Sequence, residues 1–140
     1  MNPADDRWAC DTSVAIAALD PTHEAHPASR RVLVDLRPAL SGHAVFETYS
    51  VLTRLPVELR LTADRALSVL AAAFPDDCWL DVDATRDLRN RLADAGIVGG
   101  SVYDALVGQA AAANGRTLLT RDQRAERTYR SLGVGYRFVE

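Results

Sequence analysis

Four acidic residues lie far apart in this sequence, at positions where they could act on a common ligand: Asp11, Glu47, Asp104 and Asp122. The first and the last directly follow short apolar runs that are typical of buried strands. Carboxylates that are brought together repel one another and raise each other's pKa, so such a cluster is costly unless cations neutralise it. We therefore expect these side chains to meet at one pocket and to bind a divalent metal ion.

Most of these acids also have a purely structural interpretation. Asp11 and Asp122 fall at predicted helix N-termini, where a carboxylate accepts hydrogen bonds from free backbone N–H groups. Asp104 follows Ser101 by three positions, which fits a reciprocal capping box. Glu47 is aligned with apolar residues at steps of four, so its helix face points inward and capping does not explain it. Helix capping explains the other three singly, but the four together favour a site.

Short apolar runs alternate with longer helical patterns, which is typical of strand–helix–strand units and a parallel sheet. We predict an α/β fold, a three-layer α/β/α sandwich with a central, mainly parallel sheet. Strands are predicted at residues 7–10, 38–41, 78–82, 117–120 and 136–139, and helices at 12–19, 25–36, 45–55, 62–74, 84–95, 101–114 and 122–132. Thr62 and Asp83 are the expected N-caps of the fourth and fifth helices. In such sheets ligands bind beyond the carboxyl ends of the strands, where Asp11 and Asp122 lie.

The composition is that of an ordinary globular protein. The 140 residues, 48% hydrophobic and 25% charged, suit a single domain that spans residues 1–140. No run approaches the roughly 20 apolar residues that span a bilayer, and the N-terminus is acidic, unlike a signal peptide. We therefore expect a cytoplasmic protein with no membrane contact. The two cysteines, Cys10 and Cys78, lie in apolar runs and are expected to be buried thiols.

The order of the acidic motifs resembles that of a known family, the PIN domain. The motifs that carry the resemblance are, in chain order, Asp11-Thr12-Ser13, Glu47, Tyr103-Asp104-Ala105-Leu106 and Leu118-Leu119-Thr120-Arg121-Asp122. More narrowly, the sequence resembles the VapC-type toxins of bacterial toxin–antitoxin pairs, over about residues 8 to 138. The resemblance implies a PIN fold and an acidic catalytic site on the four acids, with Thr120 as a supporting hydroxyl.

The chemistry that the resemblance implies is the metal-dependent hydrolysis of RNA phosphodiester bonds, in tRNA or rRNA, by an endoribonuclease. Mg²⁺ or Mn²⁺ takes oxygen ligands and is commonly held by one or two carboxylates, which suits a pocket of acidic side chains. We assign Asp11, Asp104 and Asp122 as metal ligands, and Glu47 to orienting the attacking water or a second ion. Some family members carry a further acid soon after the last one, but the two residues after Asp122 are not acidic, so the number of metal ions stays open.

RNA must approach a protein with a formal net charge of -3, so local basic residues are needed to attract it. The candidates are Arg121, Arg124 and Arg127, which with Arg130 are spaced by three residues along the predicted last helix. A solvated helix face, interrupted here by Glu126, has the same spacing, so that interpretation stays open. Single-stranded segments of structured RNA are the substrates that such a groove recognises most easily.

The resemblance also implies a homodimer and a cognate VapB-type antitoxin that inserts a basic side chain into the acidic site. The alternative is a catalytically silent PIN-like module that binds RNA or protein without cutting, and such a module should gain no stability from Mn²⁺. A phosphoaspartyl enzyme is disfavoured. Phosphatases of the haloacid dehalogenase type need a second Asp where Ser13 stands, and the sequence contains no Lys to neutralise a phosphoryl group. The three histidines, His23, His26 and His43, lack the spacing of a helical zinc motif.

Overall fold

The computed structural model describes residues 7–140; the predicted domain also includes residues 1–6, which lie outside the described part of the chain. The strands are Trp8–Cys10 (β1), Ala39–Ser41 (β2), Asp77–Cys78 (β3), Thr117–Thr120 (β4) and Tyr136–Phe138 (β5). The helices are Thr12–Leu19 (α1), His26–Leu36 (α2), Ala44–Leu52 (α3), Ala63–Ala73 (α4), Val82–Arg91 (α5), Ser101–Ala113 (α6) and Glu126–Ser131 (α7). Each of these elements overlaps one that the apolar pattern predicts.

The strands form one parallel sheet of five, in the order β3-β2-β1-β4-β5, which confirms the predicted parallel sheet. In the central strand β1, Cys10 pairs with Leu40 of β2 on one side and with Leu119 of β4 on the other. The chain leaves β1 toward β2 and later returns to β4 on the opposite side, so the strand order reverses between β1 and β4. Open α/β sheets form a crevice for ligands at such a point, beyond the carboxyl ends of the strands.

Helices cover both faces of the sheet. In one group α1 packs against α2 and α3, and α3 packs against α4; in the other α6 packs against α5 and α7. Successive strand residues point to opposite faces, yet Leu118 and Leu119 are 0% and 1% exposed, so neither face of β4 is open to solvent. The predicted α/β/α sandwich is therefore confirmed.

The largest errors in the predicted elements before the last helix concern β3 and α5, which ends at Arg91 and not at residue 95. The strand predicted at residues 78–82 ends at Cys78, because the chain turns there toward α5. Asp81, and not the predicted Asp83, is the N-cap of α5, and its carboxylate accepts a bond from a first-turn backbone N–H at 2.7 Å. The predicted N-cap Thr62 is confirmed for α4.

The two cysteines belong to the core of the sheet. Cys10 and Cys78 are free and buried, as predicted. Burial raises the pKa of both thiols and so keeps them protonated. Among residues 7–140, no helix has both the length and the apolar character needed to cross a membrane.

Candidate acidic active site

A cavity of about 240 Å³ opens at the carboxyl ends of β1 and β4, where the strand order reverses. Its lining consists of Asp11, Thr12, Ser13, Glu47, Val51, Arg54, Asp104, Val107, Asp122 and Tyr129. The four predicted acids reach it from four places: the end of β1, α3, α6 and the segment after β4. The structure therefore brings the four acids together, although they are far apart in sequence.

Asp11 is the most buried of the four acids, with 5% of its surface exposed. It is the N-cap of α1, as predicted: its Oδ1 accepts bonds from the Val14 backbone N–H at 3.3 Å and from the Ser13 hydroxyl at 2.5 Å. Its Oδ2 accepts bonds from the hydroxyls of Thr120, at 2.5 Å, and Tyr129, at 2.9 Å. Burial raises the pKa of Asp11, and these four hydrogen bonds oppose the rise because they stabilise the carboxylate.

Two of these hydroxyls also join the ends of the central strands. The Ser13 hydroxyl accepts a bond from the Arg121 backbone N–H at 2.8 Å. The Thr120 hydroxyl accepts a bond from the Asp122 backbone N–H at 3.1 Å. Each hydroxyl thus connects Asp11 with the segment that carries Asp122, so the two acids are held at the same end of the sheet. Thr120 lies where the family resemblance implies a supporting hydroxyl.

Glu47 lies in the first turn of α3, where its side chain is exposed and lines the cavity. The Thr12 hydroxyl donates to Glu47 Oε2 at 2.5 Å and so links α1 with α3. Val51, one turn further along, and Arg54, beyond the end of the helix, also line the cavity. Glu47 and Val51 of the predicted stripe thus face the cavity, but the buried face of α3 consists of Ala44, Thr48 and Leu52, so the stripe does not point into the core. The helix also ends at Leu52 and not at residue 55.

Asp104 does not take part in the predicted capping box. The N-cap of α6 is Gly100, and the Ser101 hydroxyl donates to the Val98 carbonyl at 2.6 Å. Asp104 lines the cavity from the first turn of α6, with Val107 further along the same face. The capping interpretation is therefore wrong for this residue, and the interpretation as a site residue agrees with its position.

The acids influence one another electrostatically. The pKa of Asp104 is raised to about 6, first by burial and then by the negative charges of Asp122, Asp11 and Glu47, while Arg124 acts in the opposite direction. Coulombic interactions fall with distance, so the other three carboxylates lie close enough to repel that of Asp104. A proton or a bound cation would relieve this repulsion, so the charge of the cavity is suited to a cation.

Asp122 is not a helix N-cap. The helix predicted from residue 122 begins only at Glu126, so that prediction is wrong at its start. The Asp122 Oδ1 instead accepts a bond from the Arg124 backbone N–H at 2.9 Å, which closes a local turn. The Arg124 Nε lies 3.8 Å from the same oxygen, but the Arg124 side chain is 96% exposed, so this ion pair is weak.

The three arginines predicted to bind RNA do not share one helix. Arg127 is exposed on α7, whereas Arg121 and Arg124 precede that helix. Arg124 is exposed, but Arg121 is half-buried, and its Nε has no hydrogen-bond partner among residues 7–140. The predicted stripe along a single helix is therefore wrong, while RNA binding by the three arginines stays a prediction.

The donor set fits a hydrated Mg²⁺ or Mn²⁺ better than a site built from side chains alone. In the described part of the chain, no group of three or more His, Cys, Asp or Glu side chains is arranged to hold a metal ion unaided. Asp11 accepts four hydrogen bonds, which fill the four lone-pair positions of a carboxylate. Asp104 and Asp122 offer further carboxylates, and Mg²⁺ usually retains several waters beside one or two such ligands. The oxygen-only chemistry of the cavity thus suits these ions.

Sequence reasoning missed one residue of the site and undervalued two others. The hydroxyls of Thr12 and Ser13 had a detectable signal, because both follow Asp11 directly at the start of a predicted helix. Tyr129 had no such signal, since its bond to Asp11 joins residues 118 positions apart. Only the packing of α7 against the rest of the fold reveals that contact.

Comparison with known proteins agrees with this geometry. The family model for the PIN domain matches residues 9–131. Ribonuclease VapC27 of Mycobacterium tuberculosis is 48% identical over 126 residues, which are 90% of this chain and 92% of that protein. Ribonuclease VapC40 of the same species is 44% identical over 131 residues, which are 92% of this chain and 96% of that protein.

Solved structures share the fold at low sequence identity. The crystal structure of VapBC2 from Rickettsia felis, bound to a DNA fragment from its promoter, matches 95% of this chain and 98% of that one, with a TM-score of 0.66 and 14% identity. DNA-bound VapBC from Salmonella typhimurium matches 94% of this chain and 97% of that one, with a TM-score of 0.63 and 21% identity. The chain therefore belongs to the PIN-domain family and, within it, to the VapC-type ribonucleases.

Proposed function

We propose that this VapC-type ribonuclease is a Mg²⁺- or Mn²⁺-dependent endoribonuclease toxin, which hydrolyses phosphodiester bonds in tRNA or rRNA and is neutralised by a VapB-type antitoxin. One observation carries the proposal: carboxylates from four separate elements converge on one cavity, where burial first and the neighbouring negative charges second raise the pKa of Asp104 to about 6. The similarity to Ribonuclease VapC27 and Ribonuclease VapC40 supports the RNA-cleaving activity.

The four acids divide the work of metal binding and water activation in this proposal. Asp104 and Asp122 would hold the metal ion together with Asp11, whose carboxylate is already fixed by four hydrogen bonds. For Asp11 to bind the ion directly, the hydroxyl of Ser13 or Thr120 would have to turn aside. When bound, Mg²⁺ or Mn²⁺ supplies Lewis-acid activation of water and of the scissile phosphate. Glu47, exposed at the cavity and held by the Thr12 hydroxyl, orients the attacking water.

Basic side chains around the cavity attract the phosphate backbone. Arg54 lines the cavity, Arg124 lies beside Asp122, and Arg127 is exposed on α7. Arg121 contributes less, because it is half-buried. Attraction of this kind is independent of sequence and brings RNA to a site whose own charge is negative.

Exposed aromatic residues that neighbour the site acids in sequence suit unpaired bases. The rings of His43 and Tyr103 stack at 4.8 Å between centroids, and those of Phe46 and Trp79 meet edge to face at 5.8 Å. Phe46 and Tyr103, which are 63% and 51% exposed, directly precede two of the site acids in sequence. Bases in single-stranded loops can be splayed out and stacked on aromatic side chains, each contributing about 1–3 kcal/mol. We therefore infer that the substrate is a single-stranded segment of tRNA or rRNA.

The antitoxin requires a docking surface, and the gap between α2 and α4 provides one in which apolar side chains lie beside charged ones. A cavity of about 400 Å³ lies there, lined by Arg30, Leu33, Val34, Arg37, Pro38, Ala72, Ala73, Pro75 and Asp76. Grooves of this type bind the apolar face of an amphipathic helix. If this assignment is right, Val34→Asp should prevent co-purification of a co-expressed VapB-type antitoxin, whereas Val98→Asp, at a position that is 73% exposed elsewhere, should not. A homodimer of the chain remains part of the proposal.

The decisive experiment is an RNA cleavage assay with mapped products. The purified chain, free of any co-purified partner, is incubated with total RNA and Mg²⁺ or Mn²⁺, and new 5′ ends are sequenced. EDTA and the variant Asp104→Asn are the controls. We expect discrete, metal-dependent ends in tRNA or rRNA that are absent from both controls.

The same experiment separates the enzyme from a catalytically silent PIN-like module. A silent module leaves the wild-type and Asp104→Asn profiles identical at every metal concentration and pH. It also shows no increase in melting temperature with Mn²⁺, because no metal ion binds preferentially to the folded state. That pair of results would overturn the proposed activity.

A further inference from the structure

Tyr129 lies at the back of the acidic cavity and is almost completely buried. It belongs to α7, lines the cavity and is 1% exposed. Its hydroxyl donates to Asp11 Oδ2 at 2.9 Å. Buried tyrosine hydroxyls normally find a partner, so one hydrogen bond by itself does not indicate a role. Two further features of this contact do.

The first feature is the space that the structure leaves for the Tyr129 ring. A Cβ atom added to Gly108 of α6 would lie 2.8 Å from the Tyr129 Cδ1 and 3.3 Å from the Val134 Cγ2. Any larger residue at position 108 would therefore displace the ring. The glycine allows α6 and α7 to approach each other, and this approach brings the phenol hydroxyl to Asp11.

The second feature is the way in which the Asp11 carboxylate is held. Oδ2 accepts bonds from the hydroxyls of Thr120, in β4, and Tyr129, in α7. Oδ1 accepts bonds from two groups at the start of α1. Donors from three separate elements thus fix both the position and the plane of the carboxylate. Without Tyr129, Oδ2 keeps one donor, and a buried carboxylate that has lost a partner must shift or be stabilised less well.

We propose that Tyr129 is a positioning residue of the active site: its hydroxyl holds the Asp11 carboxylate in the orientation that metal binding and RNA cleavage require. This inference rests on the proposed metal-dependent ribonuclease activity. Groups that orient the ligands of a metal typically change metal affinity or activity by about 10- to 100-fold when they are removed. The variant Tyr129→Phe keeps the ring and removes only the hydroxyl.

The test compares this variant with wild type and with a matched control, Tyr136→Phe. Tyr136 is a neighbouring tyrosine, at 6.2 Å between ring centroids, whose hydroxyl donates to Glu126 Oε2 and not to an acid of the site. The melting temperature of the metal-free proteins is titrated with Mn²⁺ alone. The Mn²⁺ midpoint is the apparent Kd that is fitted from the rise of the melting temperature with Mn²⁺ concentration. The kcat and KM are then measured on an RNA oligonucleotide that spans a mapped cleavage site.

For Tyr129→Phe we expect the Mn²⁺ midpoint to rise and kcat to fall, each by about tenfold or more, with KM nearly unchanged. Tyr136→Phe should resemble wild type in all three quantities. A general loss of stability would lower the melting temperature without moving the Mn²⁺ midpoint, so the titration isolates the positioning effect. If Tyr129→Phe matches wild type in Mn²⁺ midpoint and kcat while wild type does respond to Mn²⁺, the inference fails and the proposed function stands.

A second variant tests the same contact from the other side. Gly108→Ala must displace the Tyr129 ring, because its added Cβ would lie 2.8 Å from the Cδ1. It should raise the Mn²⁺ midpoint, as Tyr129→Phe does. If Tyr129→Phe proves too unstable to assay, a Gly108→Ala midpoint equal to that of wild type would overturn the inference. If wild type itself neither binds Mn²⁺ nor cleaves RNA, the proposed function and this inference fail together.

Discussion

Replacing Asp104 with Asn should stabilise the metal-free protein above about pH 6, and it should also abolish RNA cleavage. Burial and the charges of Asp122, Asp11 and Glu47 raise the folded-state pKa of Asp104 from 3.8 to about 6. Between these pH values the folded chain keeps a proton that the unfolded chain has released, so the free energy of unfolding falls as pH rises and levels off above about pH 6. Asn resembles the neutral acid in size and charge, so the variant avoids this loss.

The size of the effect follows from the pKa shift. At about 1.36 kcal/mol per unit, a rise from 3.8 to about 6 corresponds to about 3 kcal/mol. Asp104 is only half-buried, so solvent screening reduces the expected gain to roughly 1–1.5 kcal/mol. For a chain of 140 residues this is a rise in melting temperature of about 3–6 °C. The gain should shrink as the pH falls toward 3.8 and vanish well below it, because the wild-type acid is then neutral in both states.

The assay is a series of thermal unfolding curves in EDTA between about pH 4 and pH 8, followed by titration with Mn²⁺. Mn²⁺ should raise the melting temperature of wild type and leave Asp104→Asn nearly unchanged. Asp64→Asn is the matched control, since Asp64 is an exposed acid in the first turn of α4. Losing that charge near a helix N-terminus should lower the melting temperature slightly or not at all. The reasoning is refuted if Asp104→Asn is no more stable than wild type near pH 8, or if Mn²⁺ stabilises both equally.

Three other substitutions test separate parts of the site. Asp11→Asn should destabilise the metal-free protein by about 1–3 kcal/mol in urea unfolding, because the bonds from its four donors are weakened or lost; a gain in stability would contradict this. Arg127→Ala should reduce the salt dependence of RNA binding by about one unit of slope with unchanged cleavage sites, and an unchanged slope would exclude a phosphate contact. Trp79→Ala, in the inactive Asp104→Asn background, should weaken binding of a single-stranded oligonucleotide by about 1–3 kcal/mol in fluorescence anisotropy, whereas Val98→Ala should not.

The regular elements of the fold were predictable because each strand is a short apolar run and each helix has its own apolar spacing. The boundaries failed where a side chain competes with the backbone for hydrogen bonds. The Asp122 carboxylate takes the backbone N–H of Arg124, and the Thr120 hydroxyl takes that of Asp122, so the chain turns before α7 can begin. In the same way Asp81 caps α5 where a strand was expected to continue.

The acids of the site were predictable for a different reason. Asp11 and Asp122 lie one and two residues after the ends of β1 and β4. Neighbouring parallel strands end at the same edge of a sheet, so topology alone places the two acids together. The residues that orient them were not predictable to the same degree. The bond between Tyr129 and Asp11 depends on the close approach of α6 and α7 that Gly108 permits, and such tertiary packing leaves no local pattern in the sequence.

The outcomes of the capping predictions suggest how the acids differ in role. Capping was predicted for three of them and is confirmed only for Asp11. Hydrogen bonds occupy all the acceptor positions of this carboxylate, which first of all holds the ends of β1 and β4 together. Asp104 and Asp122 do not cap a helix; they line the cavity with charges that repel each other. A cation neutralises charge most effectively where that charge is least compensated, so metal binding should depend most on Asp104 and Asp122. Asp11 should fix the positions of these two residues. Removing charge at Asp104 is therefore expected to stabilise the metal-free chain. Burial raises the pKa of Asp11 as well, but an Asn there would turn an NH2 donor toward groups that themselves donate, so that substitution is expected to destabilise the chain.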